Sequence, residues 1–325
     1  MSPPVWGGYS REAKLKLQLE DRITHHGSRV TGRLGVGFGL HPDLEYLELT
    51  REIVERDADY FEVNPETMWR KRDGRLERND FHSLFLRFLA ASRKPFVAHG
   101  LEFSLGTALD EEGEAARVGQ WMERLRDDHA AFGFAWMSEH LGWTTARGLT
   151  ATLPLPLPHH PEAVAAVAER MRLLQSVVPT ALFENWATTF TLDDPSREPE
   201  FFNAIARTAD CGFLLDLHNA WTQSLNFRFD PWEYVARLDL DRVVQIHVSG
   251  GSMSDPALLA SGKSMRLDSH DGPVPEEVWT LLERVLPRCR NVRGVVVERL
   301  NGTFDAAGVA GLAAEVRRAK ELFPC

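Results

Sequence analysis

The stretch FAWMSEHLGW, residues 134–143, runs through apolar and aromatic side chains and then sets a carboxylate, Glu139, beside an imidazole, His140. A strand covered on both faces reads as a near-continuous apolar run. A charged residue at its end then lies where the chain leaves the core. One such run decides little, but seven others share its form: LGVGFG (34–39), DYFEV (59–63), PFVAH (95–99), TALFE (180–184), GFLLD (212–216), RVVQIH (242–247) and GVVVE (294–298). Amphipathic helical stretches at 43–57, 114–132, 161–178, 230–240, 276–286 and 306–323 follow the first, third, fourth, sixth, seventh and eighth runs. Pro161 stands at a first helical position, where its missing N–H costs nothing. Eight alternations of strand and helix predict an α/β chain folded as a single-domain (β/α)8 TIM barrel over residues 34–325, with residues 1–33 as an N-terminal extension. A doubly wound open sheet is the competing architecture; the length and the count of eight favour closure. GVGFGLHP (35–42) has glycines without dinucleotide-binding spacing.

The bulk composition sets limits. With 325 residues, 43% of them hydrophobic, the chain has material for one large core. A formal net charge of −10 argues against nucleic acid or an anionic membrane as partner. Cys211, Cys289 and Cys325 form neither a CxxC pair nor a disulfide framework, which suits a reducing compartment. The first residues carry no signal-peptide run and no later stretch has the length of a membrane span, so a soluble cytoplasmic protein is expected.

The ends of the runs carry the chemistry. His99, Glu139, Glu184, Asp216, His247 and Glu298 each close one run, and Asp268 and His270 lie in the long connection after the seventh. In a barrel these ends converge on the C-terminal mouth. Five carboxylates (Glu139, Glu184, Asp216, Asp268, Glu298) crowded there would repel one another unless cations sit among them. The donors exceed what one ion needs, which implies at least two. Carboxylate and imidazole without thiolate fit iron, manganese or catalytic zinc, and argue against a structural zinc site or an iron–sulfur cluster.

Single positions have plainer readings. A lone acid or imidazole at a strand end is more often a cap or an ion-pair partner; six such ends together are not. Glu62 is read as a partner of an arginine or lysine on a neighbouring strand. Glu66, His140 and His218 are candidate catalytic residues, the two histidines also serving as hydrogen-bonding groups behind the ligands. His25, His26, His41, His82, His129, His159 and His160 are read as surface or structural. Trp143, Trp186 and Trp221, after three strand ends, either line a substrate cleft or pack.

The segments FEVNPE, HGLEFSLGT, SEHLGW, LPLPLPH, FEN, LLDLHN, FDPWEY, QIHVSG, DSHDG and VVVE occur in that order from about residue 34 to 300. In them the chain resembles the multinuclear non-heme iron-dependent oxidative enzymes, a family that includes the oxidase maturing methanobactin. The resemblance implies a barrel holding two or three irons as mixed Fe(II)/Fe(III), with O2 as co-substrate. It also implies a ribosomally synthesised precursor peptide oxidised at cysteine, and a separate leader-binding partner protein. It carries His99, Glu139, Glu184, Asp216, His247, Asp268, His270 and Glu298 over as iron ligands. The chain departs from the family pattern at Gly251 and Phe227, where relatives tend to have histidine, and at Thr67 and Trp186. Two other readings stand beside this one: a divalent-metal sugar isomerase or endonuclease-like hydrolase on the same barrel, and a non-catalytic binder of metal or peptide.

Overall fold

The computed structural model describes residues 32–146, 149–258 and 260–325. The expected extension 1–33, with His25 and His26, lies outside these residues except for its last two positions.

All eight apolar runs are strands: β1 (Gly35–Gly39), β2 (Tyr60–Val63), β3 (Phe96–Gly100), β4 (Met137–His140), β5 (Ala181–Glu184), β6 (Gly212–Asp216), β7 (Val243–Val248) and β8 (Gly294–Val297). Each pairs in parallel with its sequence neighbour, and β8 pairs with β1 to close the barrel. The fold is a (β/α)8 barrel.

Strand side chains alternate between the two faces of a sheet. Tyr60, Val97, Trp136, Leu182, Leu214 and Val296 pack together inside the barrel. Two residues further along the same strands come Glu62, His99, Ser138, Glu184, Asp216 and Glu298, on the same face and nearer the C-terminal mouth. The intervening residues, among them Phe61, Ala98, Phe183 and Leu215, belong to the larger core between barrel wall and helices. Burial on both faces is why the runs are apolar throughout.

The helices are α1 (Leu44–Leu49), α2 (Asp80–Ser92), α3 (Glu114–Phe132), α4 (Pro161–Gln175), α5 (Glu198–Ala209), α6 (Leu217–Phe227), α7 (Pro231–Ala236), α8 (Glu276–Val285) and α9 (Val309–Leu322). The stretch 43–57 is not one helix. The Thr50 hydroxyl bonds back to the Tyr46 carbonyl at 2.7 Å as α1 ends, and a π-helical turn at Ile53–Asp57 follows. Three helices, α2, α5 and α6, were not expected, nor were two antiparallel hairpins on the mouth side. One pairs Trp69–Arg72 with Arg75–Arg78, the other Trp143–Ala146 with Leu149–Leu155. Among the described residues no helix is long and apolar enough to cross a membrane.

Candidate metal centre

Strand register sets the site. His140 is the register partner of Glu184, and Asp216 that of His247. Four groups of three side chains place their donor atoms within 4.8 Å of one another: His99, His140 and Glu184; His99, His247 and Glu298; Glu184, Asp216 and His247; Asp216, His270 and Glu298. The structure therefore gathers six of the eight expected ligands and adds His140, from β3 through β8 and the connection after β7.

The chemistry of this cluster is that of donors facing a shared centre. Glu184 Oε2, Asp216 Oδ2, His247 Nδ1, His270 Nε2 and Glu298 Oε2 are buried and make no hydrogen bond among the described residues. Orphaned buried polar atoms are costly and rare. Yet His247 Nδ1 lies 3.1 Å from Glu298 Oε2, and His140 Nε2 3.1 Å from Glu184 Oε2. Close approach without hydrogen-bond geometry is what neighbouring ligands show around an ion with bonds of about 2.1 Å. Every ion-pair contact of Glu184, Asp268 and Glu298 among the described residues is to a histidine, never to lysine or arginine. Burial raises the Glu184 and Asp216 carboxyls well above the usual range, with neighbouring acids adding to it. Burial likewise lowers His140 to about 4. Against the pull of burial, Asp268 and Glu298 lift His270 to about 10. The residues present fit divalent cations.

Asp216 shows how local structure supplies one ligand. Its Oδ1 caps α6 by accepting from the Asn219 N–H at 2.6 Å, which turns Oδ2 toward the cluster.

Several expectations need correction. Glu139 does not join the cluster. Along the chain through β4, Trp136, Ser138 and His140 share the inward face, so Glu139 points outward, where its carboxylate accepts from the backbone N–H groups of Phe103 (3.2 Å) and His140 (3.0 Å). Burial holds it well above the usual range, and Glu66 adds to the effect. Asp268 stands at the cluster's edge in none of the four groups; its Oδ1 lies 2.7 Å from His270 Nε2 and 3.2 Å from His218 Nδ1. His218 is fully buried behind Asp268. Glu66 sits in the turn after β2 and accepts from Trp121 Nε1 at 3.0 Å, away from the grouped donors, with burial raising it to about 7.

Among the described residues Glu62 meets no arginine or lysine; its ion-pair partner is His247. It accepts from Gln245 Nε2 and His247 Nε2 instead. His41, read as surface or structural, is half-buried, and burial lowers it to about 4, with Glu298 and His270 the charges it feels most. The Trp186 ring meets His140 edge-on at 5.0 Å, and Trp221 lies 6.0 Å from His218, while Trp143 packs against the core.

A cleft of about 730 Å³ lies away from the cluster, between α4 and α5, lined by His159, Val164, Arg197 and Phe201 among others. His159 and Phe201 also border a smaller pocket that reaches Trp186.

Fold and site together define a (β/α)8 barrel with a candidate multi-ion metal centre at its C-terminal mouth. Residues 35–323 match the model of the RiPP precursor modification enzyme family MbnB/TglH/ChrH. The chain belongs to that family, whose substrates are ribosomally made precursor peptides. A UPF0276 protein of Pseudomonas aeruginosa is 32% identical over 289 residues, covering 89% of this chain and 92% of that one. Another, from Rhizorhabdus wittichii, is 32% identical over 71% of this chain and 77% of its own. Among solved structures, a xylose isomerase domain protein from Planctomyces limnophilus (TM-score 0.54, 14% identity, 90% of this chain and 97% of that) is similar in fold. So is endonuclease IV from Thermus thermophilus (TM-score 0.52, 20% identity, 88% and 99%). At these identities the likeness concerns the fold alone.

Proposed function

We propose that this chain is a multinuclear non-heme iron oxidase that uses O2 to modify a precursor peptide at cysteine, in the cytoplasm, with a separate protein holding the peptide's leader. The observation that carries the reading is the pair of triads with no member in common, His99–His140–Glu184 and Asp216–His270–Glu298, with His247 between them. Each would hold one ion. Glu184 suits a bridging place, since Oε2 faces His99 and His140 while Oε1 faces His247 at 3.7 Å. Bound iron would supply the one-electron chemistry and oxygen activation that these side chains lack. The chain's own part is to hold the ions, and the Trp186 ring packed edge-on against His140 would help to keep water off that side.

Gly251 supports two ions over three. A side chain there would collide with the Leu267 carbonyl, and the neighbouring space is filled by His218 Cε1, 3.1 Å from where a Cβ would lie.

The test is elemental analysis with Mössbauer spectra on protein purified without oxygen, together with oxygen uptake. About two irons per chain are expected, and Glu184→Ala or Asp216→Ala should lower both iron content and turnover. Full iron loading and full activity in both variants would overturn the assignment. Tight metal binding with no oxygen uptake would move the chain to the non-redox readings.

A further inference from the structure

A line of buried polar side chains runs down the barrel from the cluster into a layer that is otherwise apolar. It begins at Trp136, whose indole N–H can only donate. Trp136 Nε1 donates to Gln245 Oε1 at 2.6 Å, which leaves the amide NH2 of Gln245 facing the other way. That NH2 donates to Glu62 Oε2 at 2.6 Å and lies 3.3 Å from the Tyr60 hydroxyl. The same Glu62 oxygen is 3.2 Å from His247 Nε2. With Glu62 accepting there, Nε2 carries a proton, and Nδ1 is the nitrogen left to be offered to an ion. Nδ1 is the nitrogen that faces Glu298 and Glu184. Trp136, Gln245 and His247 are fully buried and Glu62 is 5% exposed, so bulk water has little access to reverse any link.

We propose that Trp136, Gln245 and Glu62 form a one-directional hydrogen-bond chain that fixes the tautomer of His247, so that Nδ1 is the atom offered to a metal ion. The three are positioning residues; only His247 belongs to the candidate ligand set. The inference rests on the metal reading of the mouth but makes a separate claim. Ligating histidines need their second nitrogen fixed, and losing the group that fixes it typically weakens metal binding 10- to 100-fold. Here the direction originates in a tryptophan of the apolar layer inside the barrel. Because the indole N–H takes the amide oxygen, Gln245 can meet Glu62 only as a donor, and Glu62 is left to accept from His247 as well.

The probe is Zn(II) alone, added to metal-free protein carrying ¹⁵N-labelled histidine. Affinity is read by chelator competition and the His247 ring nitrogens by NMR. In the wild type Nε2 should carry hydrogen and Nδ1 should shift on zinc binding. Glu62→Leu and Gln245→Leu should bind zinc about 10- to 100-fold more weakly and lose the single protonated-Nε2 signature. Glu62→Gln, whose amide oxygen can accept both bonds, should stay within a few-fold of wild type. Trp136→Phe keeps a packed ring without the donor, and should give mixed tautomers.

Zinc on Nε2 in the wild type, or wild-type affinity and ring signature in both leucine variants, would overturn the proposal. Should the leucine variants fail to fold, Trp136→Phe decides, and an unchanged His247 ring there is equally fatal. A double variant, Glu184→Ala with Glu298→Ala, removes a member of every triad and separates the two claims. If it takes up zinc as tightly as wild type, the metal reading of the mouth fails. If it binds weakly while the leucine variants bind normally, the positioning chain alone falls.

Discussion

Glu198, at the first position of α5, is remote from the grouped donors, yet burial raises its carboxyl to about 7 despite a hydrogen bond from the Tyr234 hydroxyl at 2.8 Å. A carboxyl whose folded pKa lies above its ordinary 4.5 contributes stability that is complete below that value and lost as pH rises through 7. The difference amounts to about 3 kcal/mol. Thermal melts of wild type and Glu198→Gln from pH 5 to 8 should diverge, with wild type losing stability relative to the variant as pH rises; parallel curves would show that the carboxyl titrates normally. The same scale shows where sequence reading of the site stopped. His99, Glu184, Asp216, His247 and Glu298 were legible because each closes an apolar run on its inward face. Glu139 misled because FAWMSE ends one residue short of that face. Counting by twos from Trp136 leads to Ser138 and His140, and His140 is the side chain that stands with Glu184. His41 gave no such signal, because it lies beyond the end of β1 and reaches the mouth only through the path of the loop.

Between elements, fit inside the barrel decides what each strand can carry. The Tyr60 ring of β2 lies across Gly37 of β1 and Gly294 of β8, and a Cβ at either glycine would overlap it. The ring has no room to retreat, since it meets Trp136 edge-on at 5.6 Å and its hydroxyl is near Gln245. Gly37→Ala should therefore destabilise the fold by about 1–3 kcal/mol, the usual cost of overpacking, and Tyr60→Leu in the same chain should recover part of it. A double variant no more stable than Gly37→Ala alone would place the strain elsewhere. This constraint cannot be read from LGVGFG, because it depends on which residue of β2 lies opposite. Other elements were legible in principle. Asp73 and Gly74 both have positive φ, as a two-residue hairpin turn requires, and RDGR carries that signature. Asn79 caps α2 by accepting from the Phe81 N–H, ahead of apolar residues at helical spacing. The start of α6 was hidden because no loop separates it from β6; Asp216 ends the strand and caps the helix at once.

Across the whole molecule, the grouped donors come from six of the eight strands or their ends, together with the connection after β7, and span positions 99 to 298. No short segment holds three of them, so the site exists only when the barrel is closed. An ion that binds the closed barrel and not the open chain stabilises folding by mass action, by about 2.7 kcal/mol at a hundred times its Kd. In a chain of this size that is a rise in Tm of about 4 °C. The direction with pH also follows. Without ions, burial makes the Glu184 and Asp216 carboxyls hold protons far above the ordinary range, and an ion must displace those protons to bind. The rise in Tm on adding Fe(II) without oxygen should therefore be larger at pH 8 than at pH 6, should vanish with a chelator, and should be much reduced in Glu184→Ala. An equal rise in wild type and Glu184→Ala would mean that the ion binds outside the mouth. A rise that shrinks with increasing pH would mean that the bound state keeps the protons, and that acids and imidazoles meet there for a purpose other than holding metal.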